Sequence, residues 1–324
     1  MFGARQPGYS PAMRIGYFLS SEEYTPAEMI EQAKGAERAG FSALWISDHY
    51  HPWVDAQGQS AFVWSTIGAL SQVCRLPITT AVTCPTVRIH PAVIAQAAAT
   101  SAVLTGGRFR LGVGTGEALN EHIFGDAWPE AEVRLEMLEE AVEIMRELWK
   151  GGNVSYRGKH YTVENARVYT LPEKPVEVLV SAFGPKALEV AARIGEGYIS
   201  TMPDGDMVRQ FRENGGGQRV CQAGFKAAYA DSEEEGARLA YEKWPNAGIP
   251  GELSQVLPSP KHFEQAAQLV TQDMVKEAFV CGNDPQAHRD MIEQYRAAGF
   301  DEVYVANTGP HWQGLFDLYA KEIL

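Results

Sequence analysis

Short apolar runs alternate with longer amphipathic segments along most of this chain. The short runs are rich in β-branched residues, which is typical of strands, whereas the longer segments repeat their apolar residues with a helical period. Alternation of this kind indicates βαβ units, in which helices connect parallel strands. The predicted strands are Ile15–Leu19, Ala43–Ile46, Ile78–Val82, Phe109–Val113, Val176–Val180, Tyr198–Thr201, Ala223–Tyr229 and Val303–Ala306. The predicted helices are Pro26–Ala39, Phe62–Val73, Pro91–Leu104, Pro129–Trp149, Pro185–Ile194 and Asp284–Ala298.

Strands and helices that alternate in this way over 324 residues predict an α/β fold, the (β/α)8 TIM barrel. A doubly wound sheet is the alternative, because the order of the strands in a sheet cannot be read from the pattern. We expect one barrel domain over residues 13–324. Residues 1–12 contain no apolar core segment, so they are expected to be a flexible extension and not a signal peptide.

Two segments interrupt the alternation. Residues 154–163 alternate around Gly158 and are predicted to form a β-hairpin. Residues 235–277 are helical and polar with a middle rich in proline and glycine. Connections of this length in a compact domain are usually functional, so we expect a lid or a substrate-side insertion at the C-terminal rim of the barrel.

Composition limits the class of function. The net charge of −13 argues against general nucleic-acid binding, because phosphate backbones select basic surfaces. No apolar run approaches the length of a membrane span. The four cysteines are scattered and form no C-x-x-C pair, which suits a reducing cytoplasm. The expected partner is therefore a small-molecule substrate.

The residues that follow each predicted strand are the candidate site, because active sites of (β/α)8 barrels lie at the C-terminal ends of the strands. His49 follows the second predicted strand beside Asp48, and a histidine suits proton transfer near neutral pH. The alternative is a loop histidine that hydrogen-bonds the backbone. His49 and His51 also form an H-x-H pair, which would suit a metal-dependent barrel hydrolase, although no carboxylate–histidine cluster completes a ligand set.

A glycine-rich turn follows the fourth predicted strand, from Gly112 to Gly116. It fails the dinucleotide-binding fingerprint G-x-G-x-x-G, because Glu117 stands where the third glycine should be. Glycines let the backbone approach a ligand closely, since they lack a Cβ. Glu117 and Asn120 then lie at the mouth of the barrel. The alternative is that Glu117 is an acid in the first turn of a helix and Asn120 a local cap.

The turn Phe183-Gly184-Pro185 precedes a predicted helix and offers a second ligand contact. Free backbone N–H groups at a helix start suit a phosphate, and Lys186 would add charge. An ordinary helix start with proline in its first turn is the equal alternative.

Three motifs in order carry a family resemblance: Ser47-Asp-His-Tyr-His-Pro-Trp53, Pro91-Ala-Val-Ile-Ala-Gln-Ala97 and Gly112-Val-Gly-Thr-Gly-Glu-Ala-Leu-Asn-Glu121. From about residue 13 to the C-terminus, the chain resembles the luciferase-like, coenzyme F420-dependent oxidoreductases, in the branch of F420-dependent glucose-6-phosphate dehydrogenase. The resemblance implies hydride transfer between a deazaflavin and a small organic substrate, an alcohol or a sugar derivative, in a homodimer. An FMN-dependent, luciferase-like monooxygenase is the alternative within the same fold.

The resemblance also implies roles for individual residues. His49 would take the proton from a substrate hydroxyl, while Trp53 and Glu22 orient it or stabilise the developing charge. Glu117 would be the acid near the ring nitrogen N1 of the deazaflavin. The implied coenzyme contacts are Asp48, Ala81, Val82, Cys84, Thr115, Gly116, Asn120, Phe183, Gly184, Lys186 and Ala187.

Two further expectations concern the coenzyme. The Ala81–Val82 peptide matches the site of a non-prolyl cis peptide in the family, and Cys84 stands where relatives carry threonine. Because the coenzyme tail is anionic and the protein is acidic, cations should cluster at the mouth of the barrel. The candidates for that cluster are Arg88, Lys186 and Arg193.

The substrate side departs from the glucose-6-phosphate branch. Thr201 matches the threonine of its phosphate pocket, but Asp204, Ser254 and Glu277 align with the three basic residues of that pocket. Acids beside a phosphate would oppose binding through like-charge repulsion. Two lysines could partly substitute for the missing bases, Lys261 and Lys276. We therefore expect glucose 6-phosphate to be a poor substrate.

Overall fold

The computed structural model describes residues 13–324, so the predicted extension over residues 1–12 lies outside the described part of the chain. The strands are β1 (Arg14–Leu19), β2 (Leu44–Ile46), β3 (Ile78–Thr80), β4 (Phe109–Val113), β5 (Val154–Arg157), β6 (Thr162–Ala166), β7 (Glu177–Ser181), β8 (Gly197–Ser200), β9 (Val220–Ala228), β10 (Phe279–Cys281) and β11 (Glu302–Asn307).

Helices connect these strands. They are α1 (Pro26–Ala39), α2 (Val63–Val73), α3 (Pro91–Leu104), α4 (Ala118–Glu121), α5 (Ala131–Trp149), α6 (Pro185–Ile194), α7 (Gly205–Phe211), α8 (Glu233–Lys243), α9 (Leu253–Val256), α10 (Pro260–Ala267), α11 (Gln272–Lys276), α12 (Pro285–Ala297) and α13 (Trp312–Glu322). Single turns of other helix types lie at His122–Phe124, Arg212–Gly216 and Pro245–Gly248. Across residues 13–324, no helix combines the length and the apolar character needed to cross a bilayer.

The strand pairing closes a barrel. β1, β2, β3, β4, β7, β8 and β9 pair in parallel in that order, and β11 pairs with both β9 and β1. Because helices lie between successive strands, this is the predicted (β/α)8 barrel, and the prediction is confirmed. Parallel strands place all of their C-terminal ends at one rim.

The element bounds agree with the predicted ones at most positions. Helices α1, α3 and α6 begin and end where the sequence pattern places them. The pattern does not predict β10, α7 or α13, and it starts β9 three residues late. The reason for the late start is Gln222, a buried polar residue that interrupts the apolar run although it faces the barrel interior.

A polar network fills the barrel interior below the rim. Trp45 stacks on Tyr304 with ring centroids 4.4 Å apart and donates its indole N–H to Gln222 Oε1 at 2.9 Å. Glu302 accepts hydrogen bonds from Gln222 Nε2 and from the Tyr304 hydroxyl, each at 2.7 Å. These buried polar groups form hydrogen bonds with one another and fill the barrel interior. A ligand can therefore bind only at the rim above them.

Residues 229–284 form an insertion between β9 and α12. The insertion has a small apolar core of its own around Trp244 and Val270. β10 pairs with the C-terminal end of β9, which places the insertion at the C-terminal rim, where it was expected. Trp53, in the loop after β2, packs against that core and lies edge-on to Phe263 of α10, with ring centroids 5.2 Å apart.

The predicted hairpin is present as the antiparallel pair β5 and β6. Glu140 of α5 accepts hydrogen bonds from the backbone N–H groups of Lys159, His160 and Tyr161. The Tyr161 hydroxyl donates to the Thr86 carbonyl at 2.8 Å. The hairpin is thereby attached to the loop that follows β3.

Candidate active site

Four loops meet at the C-terminal ends of the strands to form the candidate site. The loop after β1 supplies Glu22, and the loop after β2 supplies Asp48 and His49. The loop after β3 supplies residues 81–86, and residues 115–120 follow β4. The structure thus brings together predicted residues that are up to 98 positions apart in the sequence, from Glu22 to Asn120.

His49 lies at the centre of this group, with 10% of its side chain exposed. Its Nε2 atom lies 3.4 Å from Glu22 Oε1. Its Nδ1 atom lies 3.2 Å from the His51 carbonyl oxygen and 3.2 Å from the Asn120 amide nitrogen. The ring centroids of His49 and Trp53 are 5.1 Å apart. Nε2 faces a carboxylate, whereas Nδ1 lies between a carbonyl acceptor and an amide donor.

Glu22 is buried and held by hydroxyl groups. Its Oε2 atom accepts hydrogen bonds from Ser47 Oγ at 2.7 Å and from Ser20 Oγ at 3.0 Å. Oε1 is the oxygen that faces His49. The two serine contacts fix the orientation of the carboxylate.

Asn120 connects the histidine to the second predicted carboxylate. Its Oδ1 atom accepts from the backbone N–H groups of Tyr50 and His51 at 2.9 and 3.2 Å, which fixes the amide nitrogen on the opposite side. That nitrogen lies beside His49 and donates to Glu117 Oε2 at 3.3 Å. Asn120 is buried, whereas Glu117 is partly exposed.

Asp48 belongs to a buried ion network. It accepts hydrogen bonds from Thr83 Oγ1 at 2.8 Å and from Arg88 Nη2 at 2.9 Å. The backbone N–H of Arg88 donates to Glu121 Oε2 at 2.6 Å, and the guanidinium lies 3.4 Å from Glu121 Oε1. Burial raises the pKa of Glu121 to about 7, although Arg88 acts in the opposite direction. A carboxyl group that titrates near neutral pH therefore lies behind the glycine-rich turn.

The loop after β3 supports that turn. The Ala81–Val82 peptide is cis, as the resemblance implied. Gly116 has a φ of 75°, a left-handed conformation that favours glycine, and a Cβ at this position would lie 2.5 Å from Cys84 Sγ. Cys84 is buried with its sulfur 3.0 Å from the Thr86 hydroxyl. Thr115 and Gly116 are partly exposed, so they present their backbone at the mouth of the barrel.

The start of α6 leaves backbone donors open. Gly184 is the N-cap and makes no side-chain cap hydrogen bond, so the N–H groups of Lys186 and Ala187 have no side-chain acceptor there. Phe183 beside them is 56% exposed. An uncapped N-terminus of a ten-residue helix suits an anionic group.

The predicted cluster of cations at the mouth is wrong. Arg88 is buried and pairs with Asp48 and Glu121. Arg193 lies in the last turn of α6, at the opposite end of the helix from Lys186. Both of these α6 cations pair with glutamates of α5, Lys186 with Glu132 and Arg193 with Glu139. The hydrogen bond that Lys186 donates to Glu132 raises the pKa of Lys186.

The residues aligned with the substrate-phosphate positions include no basic residue. Thr201 follows β8, is exposed, and accepts a hydrogen bond on its carbonyl from the Tyr295 hydroxyl at 2.9 Å. The Asp204 carboxylate caps α7 through two backbone N–H groups. Lys276 pairs with Glu233 at 2.6 Å. The other two aligned positions lie on the insertion, Ser254 and Glu277.

The histidines near the rim bind backbone groups. His51 Nδ1 lies 2.9 Å from the Leu119 carbonyl, and His122 Nδ1 lies 2.7 Å from the Ala118 carbonyl. His90 caps α3. In the described range 13–324, no group of three or more His, Cys, Asp and Glu residues is arranged to hold a metal ion.

Three residues of the rim are absent from the sequence-based prediction: Glu121, Lys226 and Trp244. The Lys226 ammonium lies 4.6 Å from the centroid of the Trp244 ring. A signal for Lys226 exists in the sequence, because it follows Gln222 and Gly224 at the two-residue period of β9. Trp244 lies in the insertion, and its contact with β9 depends on tertiary packing.

The chain is similar to known proteins along almost its whole length. The family profile described as luciferase-like monooxygenase matches residues 13–302. An F420-dependent glucose-6-phosphate dehydrogenase of Microbacterium testaceum is 34% identical over 325 residues, covering 96% of this chain and 96% of that protein. An enzyme of the same name from Mycolicibacterium fortuitum is 34% identical over 330 residues, covering 96% and 97%. Among solved structures, an F420-dependent secondary alcohol dehydrogenase in complex with an F420–acetone adduct has a TM-score of 0.89 and 30% identity, covering 96% of this chain and 98% of that one.

Proposed function

Because the chain belongs to the family of luciferase-like monooxygenases, we propose that it is a coenzyme F420-dependent oxidoreductase. Relatives that match almost its whole length at 30 and 34% identity carry F420-dependent names. The proposed reaction transfers a hydride between a small alcohol or sugar derivative and the deazaflavin. When bound, the coenzyme supplies the planar hydride acceptor or donor.

The observation that carries the proposal is the line of contacts from Glu22 through His49 and Asn120 to Glu117. Hydride transfer from an alcohol needs a base at the substrate oxygen and an acid at the other end of the charge flow. His49 would be the base and Glu117 the acid, and the buried Asn120 amide contacts both of them in a fixed arrangement.

Each of these residues has a definite task in the proposal. His49 takes the proton of the substrate hydroxyl, and Glu22 stabilises the imidazolium that forms. Trp53 covers the histidine ring and excludes water from it. Glu117 is the acid at the coenzyme side, and Asn120 holds His49 and Glu117 at fixed positions relative to each other.

The residues present fit a planar coenzyme with an anionic tail. The backbone of residues 114–116 packs on the loop after β3, where a Cβ on Gly114 would lie 2.8 Å from Val82 Cγ2, so flat backbone lines this wall. Ala81 and Thr115 are partly exposed beside this backbone, whereas Asp48 and Cys84 lie buried behind it. The uncapped N–H groups at the start of α6 would bind the anionic tail.

The substrate in this proposal is not glucose 6-phosphate. The relatives in the glucose-6-phosphate branch are named for that substrate, but here the aligned phosphate positions include Asp204, which caps α7, and the exposed Glu277. Steady-state assays with F420 should give kcat/KM for glucose 6-phosphate at least about 100-fold below that of a relative assayed in parallel, since two or more charged hydrogen bonds are lost. Comparable turnover in the two enzymes would contradict the substrate assignment.

Fluorescence titration tests the coenzyme. Adding F420 to the wild-type protein should quench the protein fluorescence until the signal saturates. FMN should bind at least about tenfold more weakly. His49→Ala should then abolish turnover and keep F420 binding, because the residue acts in chemistry and not in coenzyme affinity. His311→Ala, at an exposed histidine, is the matched control and should leave both quantities unchanged.

An FMN-dependent monooxygenase is the second candidate, because the matching family profile is described as luciferase-like monooxygenase. Tighter binding of FMN than of F420, with oxygen consumed when reduced FMN is supplied, would favour it. The metal-dependent hydrolase gains no support from the rim histidines, whose ring nitrogens bind backbone groups. A homodimer and a cytoplasmic location stay predictions.

A further inference from the structure

Lys226 is a cation at the barrel mouth with no assigned partner. It lies on β9, where Gln222 and Gly224 face the barrel interior: Gln222 bonds Trp45, and a Cβ on Gly224 would lie 2.5 Å from the Trp45 ring. Side chains alternate along a strand, so Lys226 also faces inward. It stands two residues before the end of the strand, at the level of the candidate site.

The surroundings hold the Lys226 ammonium in place without using its hydrogens. Its Nζ atom lies 4.6 Å from the Trp244 ring centroid. Burial lowers the pKa of Lys226, while Glu22 and Glu23 act in the opposite direction, so both carboxylates are near. Residues 13–324 nevertheless provide the ammonium with neither an ion pair nor a hydrogen bond.

Both nearby carboxylates are occupied by other groups. Glu22 accepts from two serines and faces His49. Glu23 accepts from Trp244 Nε1 at 2.8 Å, from Thr308 Oγ1 at 2.7 Å and from the Gly309 N–H. The three ammonium hydrogens of Lys226 are therefore available to a ligand that enters the mouth.

We propose that Lys226 is a specificity-determining residue that donates a hydrogen bond to a second, neutral oxygen of the substrate. The reacting oxygen lies at His49, and the second hydroxyl or carbonyl lies at Lys226. The substrate class is then a neutral polyhydroxy compound, with the Trp244 ring covering its C–H groups. This inference rests on the proposed function, because it uses His49 as the reacting end.

Charge balance selects a neutral oxygen over an anionic one. The carboxyl groups of Glu22 and Glu23 both act electrostatically on this single ammonium. An anionic substituent would add a negative group beside these carboxyl groups, which like-charge repulsion disfavours. A hydroxyl or carbonyl oxygen accepts from Lys226 without that cost.

The test compares substrates with and without a second oxygen. The probes are D-glucose, xylitol and glycerol as neutral polyols, 2-propanol with one oxygen, and glucose 6-phosphate with an anionic group. Lys226→Met should lower kcat/KM for the best polyol by about 10- to 100-fold, as loss of a charged hydrogen bond implies, and change that for 2-propanol less than threefold. Lys226→Arg, which keeps the charge, should recover part of the loss.

Controls separate this inference from the proposed function. Lys321→Met changes an exposed lysine at the end of α13. It should change kcat/KM neither for the best polyol nor for 2-propanol. Saturation-transfer NMR measures binding of the same probes without turnover, and thermal melting verifies that each variant folds. If no probe is oxidised but Lys226→Met abolishes polyol binding, the proposed function fails and the inference stands. Equal losses for polyol and 2-propanol, no polyol binding by wild type, or stronger binding of glucose 6-phosphate than of D-glucose would each overturn it.

Discussion

The Nε2 atom of His49 lies 3.4 Å from Oε1 of Glu22, and the other oxygen of that carboxylate is held by two serine hydroxyls. Since Oε2 is occupied by Ser20 and Ser47, the carboxylate cannot turn away from the histidine. A fixed carboxylate therefore faces the imidazole ring and stabilises its protonated form. This pair is the strongest physical reason to place proton transfer at His49.

Glu22→Gln should lower kcat by about 10- to 100-fold, because the amide keeps an oxygen for a serine but removes the charge that stabilises the imidazolium. Steady-state turnover at saturating F420 measures kcat, and fluorescence titration should give an unchanged coenzyme affinity. Ser47→Ala, which keeps the charge and removes one hydroxyl, should have a smaller effect. An unchanged kcat in Glu22→Gln would remove Glu22 from the proposed mechanism.

Gly116→Ala should weaken F420 binding by at least about tenfold and destabilise the fold by about 1–3 kcal/mol. The new Cβ would lie 2.5 Å from Cys84 Sγ and would occupy a left-handed φ of 75°. Gly125→Ala is the matched control, since Gly125 also has a left-handed φ, 84°, but nothing lies within 4 Å of its Cβ position. Equal effects on F420 affinity in the two variants would show that backbone strain alone is responsible.

The fold could be predicted from the sequence because the two periodicities that define strands and helices are local. The position of His49 and Glu117 followed from that fold, since both come directly after barrel strands. The contact of Lys226 with Trp244 could not be predicted, because it joins β9 to the insertion through tertiary packing. The pairing of Arg193 with Glu139 also depends on how α5 and α6 lie side by side.

Lys186→Met should weaken F420 binding severalfold and reduce its dependence on salt concentration. The ammonium lies at the uncapped start of α6, but it is exposed and shared with Glu132, so the effect is smaller than for a buried cation. Titrations at two salt concentrations measure both quantities. Arg193→Met removes the other α6 cation at the far end of the helix and should change neither. An affinity and salt dependence that stay at the wild-type values in Lys186→Met would exclude this lysine from the coenzyme site.

Glu121 should make the protein less stable as pH rises toward neutrality. Burial raises its pKa in the folded state from 4.5 to about 7, so between these values the folded state holds a proton that the unfolded state has lost. The stabilisation from that proton is complete below pH 4.5 and is lost as pH rises through about 7. The change amounts to about 3 kcal/mol. Arg88, Glu117 and Asp48 are the charged groups that face this carboxyl.

Glu121→Gln removes the titration and keeps an oxygen that can accept the Arg88 backbone N–H. Urea unfolding of both proteins at pH 5, 6, 7 and 8 measures the free energy of unfolding. The value for the variant minus that for wild type should rise between pH 5 and 7 and then level off, because wild type loses the proton and the amide has none to lose. Glu31→Gln is the control, since the pKa of this exposed glutamate is lowered by Lys34 and its contribution has the opposite sign. A difference that stays constant with pH would mean that Glu121 is ionised throughout in the folded protein.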